Sequence, residues 1–279
     1  MTQPRPYPGI GQALVLVIAV IVFQVLIGIA IGTLLPAVAL RLPLAAAVGL
    51  ANVLSFGVVI WWGVRRSGLP LSQALPFLAV RPAVYLPLVV MVTGLGIVAS
   101  EVDNLLRYVL PMPRFVAEIF KAVAGAGAVS LLTLTAIAPV TEELLFRGVI
   151  LRGFLERYAA PTAVLVSALI FGVVHLNPYQ FFSAFVMGSA LGWVFLKTGS
   201  LVPCIVGHAV YNGHGFIVTA LLPVSIPGYN PEQLDLSVVE FQPLWFDAMG
   251  VLAVGLGFAA LSRLFARGGT ALGQVGRTP

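Results

Sequence analysis

The chain has 279 residues, 59% hydrophobic and only 9% charged, against about 25% charged residues in an ordinary soluble domain. Its formal net charge of +5 comes from basic residues scattered singly or in pairs at the ends of apolar runs, which excludes a nucleic-acid-binding patch. A lone cysteine, Cys204, excludes an intrachain disulfide framework, and the Gly- and Ala-containing apolar runs lack the dyad alternation of a membrane barrel, which leaves an all-α, polytopic membrane helix bundle.

Taking about 20 residues per crossing, spans are expected at roughly 10–33, 43–63, 83–100, 128–151, 161–176, 179–196, 201–222 and 243–262, about eight transmembrane helices in all. The first run, from Ala13 to about Leu35, is too long for the apolar region of a cleavable signal peptide. It is read as an uncleaved span, although Ala37-Val38-Ala39 resembles a cleavage site. Between Arg65 and Pro82, two arginines, a Gly-Leu-Pro turn and a weakly amphipathic run suit a connector on the membrane surface.

Lys121 to Arg157 is 37 residues, about 55 Å as continuous helix and nearly twice the hydrocarbon thickness. Gly125 and Gly127 are expected to break its outer end, and Pro139 to kink it and free the carbonyl of Thr135. Pro223 to Pro243 reads as an irregular loop over the bundle. Residues 1–268 are expected to form a single transmembrane domain with a catalytic core at about 128–222, and residues 269–279 a disordered tail.

Eleven basic residues (Arg5, Arg65, Arg66, Arg81, Arg147, Arg152, Arg157, Lys197, Arg263, Arg267 and Arg277) then lie on one side, against Arg41, Arg107, Arg114 and Lys121 on the other. The asymmetry puts both N- and C-termini in the cytoplasm. No internal repeat of the kind common in secondary transporters is evident.

Charges cost several kcal/mol inside a bilayer, so Glu142, Glu143 and Arg147 in the fourth run mark a functional site. Residues four apart share a helix face, so Glu143 can pair with Arg147 while Glu142 projects about 100° away and is free for general acid/base work. His208 and Asn212 also stand four apart, two donors on one face able to hold an oxyanion. His214, roughly 240° around from His208, is expected to serve helix packing. Counted at about 1.5 Å per residue, Glu142, His175, His208 and Asn212 all fall near the bilayer midplane. Singly, each histidine and Asn212 also fits an ordinary interhelical hydrogen bond.

Together, Glu142-Glu143-Leu-Leu-Phe-Arg147, Phe171-Gly-Val-Val-His175 and His208-Ala-Val-Tyr-Asn212 resemble the three-motif signature of the CPBP family, the type II CAAX prenyl protease and bacteriocin-processing membrane proteins also called the Abi family. The resemblance covers about residues 128–222. It implies an intramembrane endopeptidase in which Glu142 activates water, His175 positions it, and His208 with Asn212 stabilises the oxyanion. Glu143, Arg147 and Phe171 would support the site.

The resemblance also implies a peptide or lipidated protein substrate at the lipid bilayer. The short termini and composition point to a bacterial inner membrane, with no nucleic-acid partner. No cofactor is favoured; a zinc-dependent enzyme would use Glu142, His175 and His208, two imidazoles and a carboxylate. The alternative outside enzymology is a non-catalytic immunity or transport-like membrane protein. Other intramembrane proteases fit poorly. Met187-Gly188-Ser189-Ala190 lacks the Gly-x-Ser-Gly nucleophile motif, Asp103, Asp235 and Asp247 lie near surfaces or in loops, and no histidine begins a His-Glu-x-x-His motif.

Overall fold

The structure is a computed structural model that describes residues 6–34, 42–221, 225–230 and 238–268. The expected tail at 269–279 and the cleavage-like Ala37-Val38-Ala39 lie outside the described residues. Every regular element among the described residues is helical; apart from short turns at Leu71–Ala74 and Pro82–Val84 these are α1 (Ile10–Leu34), α2 (Leu44–Ser67), α3 (Tyr85–Val109), α4 (Arg114–Ala124), α5 (Ala128–Leu155), α6 (Ala160–Val173), α7 (Pro178–Thr198), α8 (Leu201–Leu221) and α9 (Leu244–Gly268).

Six of these, α1, α2, α3, α5, α7 and α9, are long and apolar enough among the described residues to cross a membrane. The expected count of eight crossings is not confirmed by these six. Helix α6 has 14 residues, about 21 Å of rise against about 30 Å of hydrocarbon. Helix α8 forms where a span is expected, with 21 residues.

Burial follows the helical period. On α1 the buried residues are Ala13, Leu16, Val17 and Val20, one stripe at i, i+3, i+4 and i+7, while Leu14, Ile18, Val25 and Ile29 are exposed. Such a helix packs on one side and offers the other to lipid. Close approach elsewhere depends on small residues, because helices in lipid associate through packing rather than by escaping water. Gly188 and Gly192 of α7, one turn apart, let α6 come so near that an added Cβ would stand 3.2 Å from Phe171 and 3.0 Å from Val164. A Cβ on Gly94 of α3 would stand 2.6 Å from the Gly250 carbonyl of α9, and one on Gly257 would stand 2.6 Å from the Pro87 carbonyl.

The expected connector after α2 is tied into the bundle rather than merely laid on a surface. Ser200 donates from its hydroxyl to the Leu78 carbonyl at 2.7 Å, and the Leu201 amide donates to the Pro76 carbonyl at 2.9 Å. The described parts of the expected 223–243 loop sit over α3: Asn104 Nδ2 donates to the Gly228 carbonyl at 2.9 Å, and the Gln242 amide donates to Glu101 Oε2 at 2.9 Å. Cys204 is fully buried on α8, its Sγ 3.5 Å from the Leu191 carbonyl.

Candidate active site

Helix α5 carries the carboxylates and is not a uniform α-helix. As expected from Gly125 and Gly127, the chain breaks between α4 and α5, with Gly127 in the left-handed region at φ 58°. Ser130, fully buried, fastens the corner by donating to the Val123 carbonyl at 2.6 Å and accepting from the Ala126 amide at 2.8 Å. Beyond it, Thr133–Ile137 and Leu144–Leu151 are π-helical, and the α-helical turn Ala138–Glu143 lies between them.

The first π-helical stretch changes which carbonyl Pro139 leaves free. The Ala138 amide is bonded to the Thr133 carbonyl, so in the five-residue register the next carbonyl, Leu134, faces Pro139, which has no N–H. Leu134 is instead satisfied from another helix, by Asn212 Nδ2 at 2.9 Å. The expectation named Thr135, one residue on, which assumes α-helical register at Pro139.

Glu143 is fully buried and holds Arg147 as expected, Oε1 accepting from Nη1 at 2.7 Å. Arg147, 2% exposed, also donates from Nη2 to the Gly188 carbonyl at 3.1 Å, and its guanidinium carbon lies 5.0 Å from the centre of the Phe171 ring. The same Glu143 Oε1 accepts from His208 Nδ1 at 2.8 Å. A carboxylate on Nδ1 fixes the imidazole's orientation and directs its other nitrogen. His208 Nε2 is therefore aimed at Glu142, whose Oε2 lies 3.7 Å away. Glu142 makes no other contact of this kind among the described residues, and its side chain is 15% exposed.

His175 lies not within a span but in the turn after α6, ahead of Leu176, which has a positive φ of 54°, and Asn177, which caps α7 by accepting from the Gln180 amide at 2.9 Å. Irregular backbone at membrane depth is tolerated where it is enclosed or borders a cavity. His175 Nδ1 pairs with the Phe171 carbonyl at 2.9 Å, which leaves Nε2 free. The edge of the Phe171 ring meets His175 at 5.1 Å and His208 at 5.8 Å between ring centres, so this one aromatic ring supports both imidazoles and the arginine.

Glu142, Phe171, His175, His208 and Asn212 all border one cavity of about 600 Å³, within the size range of small-molecule and cofactor sites. His214 borders it too, while packing against Gly96 and Tyr229, so its packing contacts do not turn it away from the site. Among the described residues, no three or more His, Cys, Asp or Glu side chains are placed to hold a metal ion.

Sequence reasoning confined the site to residues 128–222 and missed Gln24 and Asn52, which border the same cavity from α1 and α2. Their signal was an amide side chain in the middle of an otherwise apolar run. Such a residue also fits ordinary interhelical bonding, which gives no cue to a site.

Residues 124–214, about a third of the chain, match a family model described as Rce1-like, type II CAAX prenyl endopeptidase. No curated protein and no solved structure matches the chain. The matched segment contains all of Glu142, Glu143, Arg147, Phe171, His175, His208 and Asn212, and over those residues the chain is similar to the CAAX protease-like family.

Proposed function

We propose that this membrane protein is an endopeptidase that cleaves membrane-associated or lipidated peptides with a water activated by Glu142. The observation that carries the reading is the relay Arg147, Glu143, His208, which ends with a fixed imidazole nitrogen 3.7 Å from Glu142 inside a cavity that His175 and Asn212 also border. A structural ion pair needs only its two members. A third residue held by the same carboxylate oxygen and aimed at a second carboxylate is what general acid/base chemistry requires.

In the proposed reaction Glu142 takes a proton from water as the water oxygen bonds to the scissile carbonyl carbon. His175, with Nδ1 committed to the Phe171 carbonyl, offers Nε2 to position that water. The oxyanion is held by the N–H of Asn212 Nδ2 not given to Leu134 and by Nε2–H of a protonated His208, whose Nδ1–H is given to Glu143. The carbon–nitrogen bond then breaks as Glu142 returns its proton to the departing nitrogen, leaving a carboxylic acid and an amine.

The metal-free form of the reaction is the one proposed, with zinc held by Glu142, His175 and His208 as the alternative. The zinc-dependent alternative separates from it by chelation. Cleavage of a prenylated CAAX-type peptide by the protein in nanodiscs is expected to survive chelator and to fall by at least about 10²-fold in Glu142→Ala, the scale of a lost general base. Undiminished cleavage by Glu142→Ala overturns the reading. Comparing membrane peptides by mass spectrometry between cells with wild-type protein and cells with Glu142→Ala, in a bacterial inner membrane if the chain is bacterial, identifies the natural substrate.

A further inference from the structure

We infer that Gln24 and Asn52 form a peptide-binding subsite of the cavity, which grips one backbone amide unit of an extended substrate; the inference rests on the proposed peptidase reading. Gln24 Nε2 donates to Asn52 Oδ1 at 2.7 Å, joining α1 to α2. Asn52 is 6% exposed, yet among the described residues its Nδ2 has no hydrogen-bond partner, and neither has Gln24 Oε1. Both residues border the cavity that contains Glu142 and His175. The pair thus leaves one donor and one acceptor, side by side, on residues that border the same cavity as Glu142.

The pattern of the surrounding wall agrees. Val48, Asn52 and Phe56 recur every four residues on α2 and all border the cavity, so Asn52 is the polar position on an otherwise apolar face. Ile119, Phe120, Val123 and Ala124 of α4 border the same cavity, on a helix with no buried residues. The apolar walls offer nothing to a polar backbone.

A peptide bond buried in a membrane helix must leave that helix to be attacked, and its freed N–H and C=O then need partners where water is scarce. Extended peptides are commonly held through such main-chain bonds, with the side chains left to pockets. The Asn52 N–H meets a substrate carbonyl and Gln24 Oε1 a substrate N–H.

The test measures binding rather than turnover, on the full chain carrying Glu142→Gln in nanodiscs. The probe is a dye-labelled, S-prenylated CAAX-type peptide together with analogues in which one backbone N–H at a time is replaced by an ester oxygen. One analogue is expected to bind about tenfold more weakly than the peptide, equivalent to about 1.4 kcal/mol. Adding Gln24→Met is expected to abolish that difference, and adding Asn52→Leu to weaken binding of every probe about tenfold. Gln24→Met, on a half-buried residue, keeps the test decisive if Asn52→Leu fails to fold.

Equal binding of all ester analogues, an unchanged ester penalty in Gln24→Met, or no binding of any peptide overturns the subsite. Ester discrimination without any Glu142-dependent cleavage would sink the peptidase reading and leave the subsite standing. Glu142-dependent cleavage with no discrimination does the reverse.

Discussion

Arg147 shows how a full charge is kept inside this bundle: it is divided among the Glu143 carboxylate, the Gly188 carbonyl and the face of Phe171. Breaking a buried ion pair by removing one partner costs about 3–5 kcal/mol, whereas replacing both partners with apolar residues is often nearly neutral. Arg147→Met is therefore expected to lower the unfolding midpoint sharply in detergent. Arg147→Met with Glu143→Leu should recover much of that loss yet remain inactive, because His208 then lacks the acceptor that orients it. Thermal unfolding and peptide cleavage measured on the same preparations check both halves; an active double variant would rule out the relay. The Glu143 and Arg147 pair could be read from sequence because both lie on one element, four residues apart. The Glu143 and His208 bond could not, since it joins residues 65 apart and depends on how α5 meets α8.

At the scale of the element, helix α5 changes register twice around its carboxylates. Proline in an α-helix removes a donor and crowds the preceding turn, and here the wider π-helical turn at Thr133–Ile137 lies just ahead of Pro139. The cost passes to another helix, where Asn212 must satisfy the Leu134 carbonyl. Asn212→Leu should destabilise the fold by about 1–3 kcal/mol, the penalty for an unsatisfied buried acceptor. In a Pro139→Ala background, where position 139 has an N–H to offer, the penalty should shrink, giving a coupling of about 0.5–3 kcal/mol in a double-mutant cycle. Cleavage should stay impaired in both backgrounds; additive stability losses would show that the two positions are not linked. The break at Gly125 and Gly127 was legible because glycine marks interruptions directly. The π-helical register was not, because Pro139 marks a departure from regular helix without saying which register accommodates it.

For the whole molecule, the helices nearest the chemistry and those that enclose it make different demands. The long apolar runs made most of the helices legible, but not the short reach of α6, because apolarity marks a buried segment without fixing where its helix ends. Among the described residues helix α9 supplies no side chain to the cavity, yet it packs along α3 so closely that Gly257 has no room for a Cβ beside the Pro87 carbonyl. Gly257→Val is expected to lower the unfolding midpoint while the KM of the surviving folded protein for peptide stays within about twofold, since a misfit on that seam acts through packing strain of about 1–3 kcal/mol. A changed KM at full stability would instead place α9 in substrate binding. The chain also carries its own recorder of such events. Cys204, the only thiol in the sequence and fully buried between α7 and α8, stays hidden from a maleimide until the bundle opens. Its labelling rate in an intact lipid membrane, with no engineered tag, reads the opening frequency of the same helix that holds His208.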